Sequence, residues 1–182
     1  MKPYRLGILV GRFQTLHLGH QAMIEQALLL CDCVGIFIGS SQESRTAKNP
    51  FSFEERRDML LTLFPERVQV FPLPDIGAGN NAAWGDYVLQ NVIRCFGCFP
   101  DLLVTGKEER RAGWFNSEMG SGIGELHVPK SISISATRLR QYVLDDDRES
   151  WQRFVDSRLW DQYPFMRKIL LLSQENQETS SI

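Results

Sequence analysis

An α/β fold is predicted here: a parallel β-sheet with helices on both faces, followed by C-terminal helices. Short apolar runs alternate with runs of helical length and periodicity along the chain. Strands spaced by helices of this length make βαβ units, and hence a parallel sheet. The composition, 43% hydrophobic and 23% charged over 182 residues, is that of an ordinary globular domain.

Leu6–Val10 is the first strand and His20–Leu30 the first helix. Val34–Gly39 is a second apolar strand. Phe53–Phe64 has helical spacing, with Ser52 as N-cap and Glu55 in capping-box position. Val68–Phe71 is a short strand, Trp84–Ile93 a helix, and Asp101–Thr105 a strand closed by Gly106. Glu125–Val128 is a weaker strand. Ser135–Leu144 is a helix capped by Ser135. Residues from Arg148 to Leu172 hold one or two further helices divided near Pro164, and their apolar positions in 160–172 supply either core or a homo-oligomer interface. Ser173–Ile182 is polar and expected to fray. The chain thus reads as a single domain over 1–172, with a helical C-terminal part over 148–172 and a flexible tail over 173–182. Right-handed crossovers place the loops after Val10, Gly39, Phe71 and Thr105 on one sheet edge, where such folds bind ligands.

The net charge of −2 gives no reason to expect a nucleic-acid or membrane-surface partner. No segment approaches the roughly 18 apolar residues that span a bilayer, and Met1–Arg5 leads into a strand rather than a signal sequence. A cytoplasmic location is expected. The cysteines form two pairs, Cys31/Cys33 and Cys95/Cys98. Each is read as small apolar packing at the end of an apolar helix, with neither a metal site nor a disulfide expected.

The chemistry concentrates in Gly11-Arg12-Phe13-Gln14-Thr15-Leu16-His17-Leu18-Gly19-His20. Two of the chain's three histidines and an arginine fall where a strand turns into a helix N-terminus, a place that attracts phosphate. Gly11 and Gly19 allow close backbone approach; Arg12, His17 and His20 supply donors. Spaced three apart, the histidines share a helical face. A second anion site is offered by Ile134-Ser135-Ala136-Thr137-Arg138-Leu139-Arg140, where Ser135 caps a helix, Thr137 adds a hydroxyl, and Arg140 reaches back toward the same anion.

These two strings resemble the Gly-Arg-Phe-x-Pro-x-His-x-Gly-His and Ile-Ser-x-Thr-x-x-Arg signatures of the nucleotidyltransferase superfamily, whose fold is Rossmann-like. Thr15 stands where proline is usual, a change that removes no catalytic group. Gly39-Ser40-Ser41-Gln42-Glu43-Ser44-Arg45-Thr46-Ala47-Lys48-Asn49-Pro50-Phe51-Ser52, with Glu55-Arg56 after it, resembles a stretch of the archaeal-type nicotinamide-mononucleotide adenylyltransferases. The loop Pro74–Trp84 resembles their Asp-Ile … Asn-x-x-Trp element. Asp75, Asn81 and Trp84 match; the loop is longer than usual, which leaves Asn80 as an alternative to Asn81.

The resemblance implies a reaction joining nicotinamide mononucleotide to the AMP part of ATP, giving NAD and pyrophosphate. It gives His17, His20, Arg12 and Arg140 the catalytic role of neutralising phosphate charge. Gly11, Phe13, Gln14, Gly19, Ser135 and Thr137 would bind the triphosphate, and Gly106 and Lys107 would line the adenosine. Ser40, Gln42, Asp75, Asn81 and Trp84 would hold the mononucleotide, the indole facing a planar pyridinium cation. Mg²⁺ would bridge phosphate oxygens mainly through water, with no protein cage. The charge run Lys107–Arg111 reads as a solvated face, with phosphate contact as the functional option; Gly120–Gly124 reads as a flexible turn. Two other readings stand beside this one: a superfamily transferase acting on phosphopantetheine or using CTP, and a non-catalytic nucleotide-sensing module. The loop from Asp75 to Trp84 separates the first, pyrophosphate release the second.

Overall fold

The computed structural model describes residues 1–79, 81–106, 113–115, 120–130 and 132–179. Their elements run β1 (Tyr4–Gly11), α1 (Leu18–Leu30), β2 (Cys31–Gly39), α2 (Phe53–Leu63), β3 (Gln69–Leu73), α3 (Ala82–Phe96), β4 (Leu102–Thr105) and β5 (Gly124–His127). Then come α4 (Ala136–Leu144), α5 (Arg148–Gln152), a 3-10 turn over Ser157–Gln162, and α6 (Tyr163–Thr179). The described strands form one parallel sheet in the order β3-β2-β1-β4-β5. The chain steps outward from β1 to β3, then crosses back to place β4 on the other side of β1. Strand order reverses there, which opens a crevice at the carboxyl ends of β1 and β4.

Both sheet faces are covered, so the central strands are near-continuous apolar runs. On one face Leu9, Ile36, Ile38, Leu102 and Val104 pack with α1, α2, α4 and the C-terminal helices. On the other, Leu6, Ile8, Phe37 and Leu103 pack with Val88, Leu89 and Val92 of α3 and with Trp114 and Phe115. At the amino edge Asp101 ties β1 to β4: its Oδ2 accepts from the N–H groups of Arg5 and Leu6, each at 2.9 Å.

The elements differ from the sequence reading chiefly at their ends. Cys31 and Cys33 open β2 rather than close a helix, because α1 passes into β2 without a loop; the Cys31 N–H still caps α1 on Ala27 O. Cys31 is buried and its sulfur fills the hollow beside Gly7. β3 runs on through Pro72, tolerated on an edge strand paired on one side only. α3 starts two residues early, on an Asn81 cap, and ends at Gly97 with φ 71°. Pro164 falls in the first turn of α6, where its missing N–H costs nothing. Met166, Ile169 and Leu170 of α6 are buried in the core. That helix continues through Thr179, beyond the point where fraying was expected; buried Ser173 donates its hydroxyl to Ile169 O. No helix of the described residues is long and apolar enough to cross a membrane.

Candidate functional site

The turn after β1 is built around the start of α1. His17 is the N-cap: its backbone is extended, and its Nδ1 accepts from the His20 N–H at 3.3 Å. Imidazole is an uncommon cap, and it folds the His17 ring back over the first turn. A Cβ at Gly19 would meet that ring at 3.0–3.1 Å, which explains glycine between the two histidines. The rings of His17 and His20 stack at 3.7 Å, and the Phe13 ring lies tilted against His20 at 5.0 Å. The Leu18 N–H goes to Phe154 O, whereas that of Gly19 has no partner among the described residues.

Both imidazoles are held neutral at pH 7. Burial, reinforced by the Lys130 ammonium, lowers His17 to about 4. Burial and then His17 push His20 well below its ordinary value. The cap bond makes Nδ1 of His17 an acceptor, so its proton belongs on Nε2.

Gln14 anchors the turn through its side chain. Its side chain is buried and pairs twice with the Phe51 backbone, donating to the carbonyl at 2.8 Å and accepting from the N–H at 2.9 Å. Its carbonyl faces α4 and accepts from Arg140 Nη1. Phe13 is likewise buried, at φ 50°. Arg12 is exposed and lies over Gly39. Arg12 and Arg140 repel: burial first, then Arg12, lowers the Arg140 pKa. Thr15 is buried, its hydroxyl donating to Leu16 O at 3.4 Å.

From α4, Ser135 Oγ caps the helix by accepting from the Arg138 N–H at 3.2 Å. Exposed Thr137 accepts weakly from Arg140, at 3.4 Å. Arg140 therefore joins α4 directly to the first turn.

The loops after β2 and β3 are joined to each other. Gln42 accepts from the Asp75 N–H at 3.0 Å and donates to its carboxylate at 3.5 Å. Ser40 is buried with φ 49°, its carbonyl turned inward to Arg56. Asn81 is committed locally: Oδ1 accepts from the Trp84 N–H and Nδ2 donates to Ala78 O. Trp84 is half-buried at the start of α3, its ring 5.5 Å from that of Tyr87. Gly106 ends β4 against Met23 of α1, whose sulfur lies 2.9 Å from where a Cβ would stand. Lys107 and the rest of its charge run, Asn80 and Ser131 lie outside the described residues.

Sequence reasoning passed over Arg56. It is fully buried and donates to four backbone carbonyls, including those of Arg12, Gly39 and Ser40. The Glu55-Arg56 step was its one signal. Glu55 completes the capping box and also pairs with Arg45 at 2.6 Å, stiffening the loop after β2. Lys130, close enough to depress His17, had no signal in any motif.

Hydrogen bonds therefore run without a break from α4 through the first turn and α2 to the loops after β2 and β3. The edge they form is rich in guanidinium and imidazole. No group of three or more His, Cys, Asp or Glu able to hold a metal is gathered among the described residues.

Comparison with known proteins agrees with this geometry. The cytidylyltransferase-like family matches residues 8–108. A nicotinamide-nucleotide adenylyltransferase of Pyrococcus abyssi is 45% identical over 154 residues, which cover 82% of this chain and 77% of the relative. That of Thermococcus kodakarensis is 36% identical over 155 residues, with the same shares. Among solved structures, a bifunctional NMN adenylyltransferase/ADP ribose pyrophosphatase from Francisella tularensis, complexed with AMP and a Mn ion, superposes with a TM-score of 0.69 at 23% identity. It is matched over 94% of this chain and 51% of its own, so this chain spans about half its length; the likeness concerns the fold.

Proposed function

Because the chain belongs to the cytidylyltransferase-like family, among its nicotinamide-nucleotide adenylyltransferases, we propose that it transfers the AMP of ATP to nicotinamide mononucleotide. An oxygen of the mononucleotide's 5′-phosphate attacks the α-phosphorus. The bond from that phosphorus to the β-bridging oxygen breaks, and pyrophosphate leaves with the electron pair. With a second pKa near 6 the attacking phosphate is already a dianion at pH 7, so no general base is needed. Catalysis is then positioning and charge neutralisation.

One observation carries this reading: the turn with Arg12, His17 and His20 is fastened to Arg140 of α4, far away in sequence. In this reading Arg12 and Arg140, repelling each other in the free protein, are both relieved by a polyphosphate between them. The Gly19 N–H, the two imidazoles, Ser135 and Thr137 complete the anion's donors. Gly11 keeps the turn close to the ligand, and Gly106 lies on the adenosine side. Ser40, Gln42, Asp75, Asn81 and Trp84 line the mononucleotide half. Asn81 acts there mainly by fixing the start of α3, since its amide is already bonded. Mg²⁺ enters with the triphosphate as part of the substrate, held by phosphate oxygens and water, which suits an edge of cationic and neutral donors.

We read residues 1–172 as one domain, working in the cytoplasm on small molecules. The test is to incubate the protein with Mg²⁺, ATP or CTP, and each candidate phosphate acceptor, and to follow pyrophosphate. Release with ATP and a pyridine mononucleotide alone is expected. Release only with phosphopantetheine, or only with CTP, would contradict the proposal.

A further inference from the structure

Arg56 is 0% exposed. Its Nε donates to Ser52 O at 3.0 Å, Nη1 to Arg12 O and Gly39 O at 2.9 Å each, and Nη2 to Ser40 O at 3.1 Å. The acceptors come from three places: the cap of α2, the turn after β1, and the end of β2 with the loop beyond it. Every one is a backbone carbonyl; no carboxylate is bonded to this guanidinium among the described residues. Burying a cation without a bonded acid is costly. Were packing the only need, an apolar side chain would fill the same space at lower cost. What only a guanidinium supplies is a rigid planar fork that fixes several acceptors at one spacing.

We infer that Arg56 is a positioning residue that sets the distance between the two halves of the site. On one side it holds the turn of Arg12, His17 and His20; on the other, the loop of Ser40 and Gln42. This rests on the transferase reading above, which assigns those segments to the triphosphate and the mononucleotide. Arg56 itself touches neither substrate. It ties up carbonyl oxygens that would otherwise repel phosphate, and it holds both loops in one register. In-line attack needs reacting atoms about 3–3.5 Å apart, and a misplacement of about 1 Å costs on the order of 10²-fold in rate.

The test uses the whole protein and the Arg56→Lys variant, which keeps the charge and loses the fork. Calorimetry gives the affinities for ATP with Mg²⁺, for nicotinamide mononucleotide, and for NAD, which spans both halves; turnover is measured alongside. In the folded variant each separate substrate binds within about 3-fold of wild type. The affinity for NAD falls much further, and kcat drops on the order of 10²-fold. A purely structural role would lower all three affinities together; that result, or unchanged NAD affinity, overturns the inference. Should wild type release no pyrophosphate, the transferase reading fails, while the three affinities still decide the role of Arg56. If Arg56→Lys does not fold, Arg56→Ala is assayed with ethylguanidinium in solution. Recovery of NAD affinity supports the inference. Absence of recovery, or failure of both variants to fold, assigns Arg56 to stability alone and overturns it.

Discussion

The proton affinity of a neutral imidazole rises when an anion arrives beside it. Burial and Lys130 hold His17 at about 4 in the free protein, and His20 lies well below its ordinary value. A triphosphate beside them raises both, so binding takes up protons, and ATP affinity falls as pH rises from about 4 through the raised value. Calorimetry in two buffers of different ionisation enthalpy reads this directly; identical heats would contradict it. The same shift affects stability. Unfolded, His17 titrates near 6.5; folded, near 4. Between those values the unfolded chain binds the extra proton, so stability present above pH 6.5 is lost as pH falls toward 4. The urea midpoint should fall over that window, and less so in His17→Asn. If His20 serves the proposed role of donor to developing charge, His20→Ala should lower turnover about 10²–10³-fold in a protein that still folds. Normal turnover would take His20 out of the mechanism.

Along α3 two neighbouring positions separate function from fold. Gly85 lies so close to the Trp114 backbone that a Cβ would collide with its carbonyl. Gly85→Ala should therefore cost about 1–3 kcal/mol, seen as a lower denaturation midpoint. Trp84, half-buried beside Tyr87, should act on the pyridinium. Trp84→Ala should raise KM for the mononucleotide roughly 2- to 30-fold, the span of a cation–π contact of about 0.5–2 kcal/mol, and leave KM for ATP nearly unchanged. A rise confined to ATP would reverse the assignment. Helix periodicity and caps were legible in the sequence because they are local: Ser52 with Glu55 and Ser135 at α4 are where spacing put them. The two anion motifs were legible because each is one unbroken string. What escaped were contacts between distant segments. Nothing local says that the Gln14 side chain pairs with Phe51, that Gln42 meets Asp75, or that Arg56 turns inward. The Asn81 side chain reads from the sequence as a mononucleotide contact, and the structure adds that its Oδ1 caps α3 by accepting from the Trp84 N–H.

Across the molecule, the two edges of the parallel sheet carry different duties. At the carboxyl edge the loops hold their carbonyls on guanidiniums and keep Arg12, Thr137 and Asp75 exposed, so substitutions there should change rates more than stability. At the amino edge Asp101 holds the first residues of β1 through two N–H bonds at 2.9 Å and a weaker ion pair to Arg5 at 3.4 Å. Those bonds, that of Leu6 first, keep its carboxyl below the ordinary range. Asp101→Asn leaves one acceptor oxygen and no charge. It should cost about 1–3 kcal/mol, the difference between charged and neutral acceptors for two backbone donors. Because a depressed carboxyl stabilises only above its unfolded pKa, this difference should shrink as pH falls below about 4. Meanwhile kcat and both KM values should stay within about 2-fold of wild type, since Asp101 bonds the start of β1 at Arg5 and Leu6, the end away from the turn of Arg12, His17 and His20. Urea melts at pH 7 and pH 3, with steady-state kinetics at pH 7, test this together. A large loss of kcat without loss of stability would mean that the amino edge takes part in the chemistry, and the division of labour between the edges would fall.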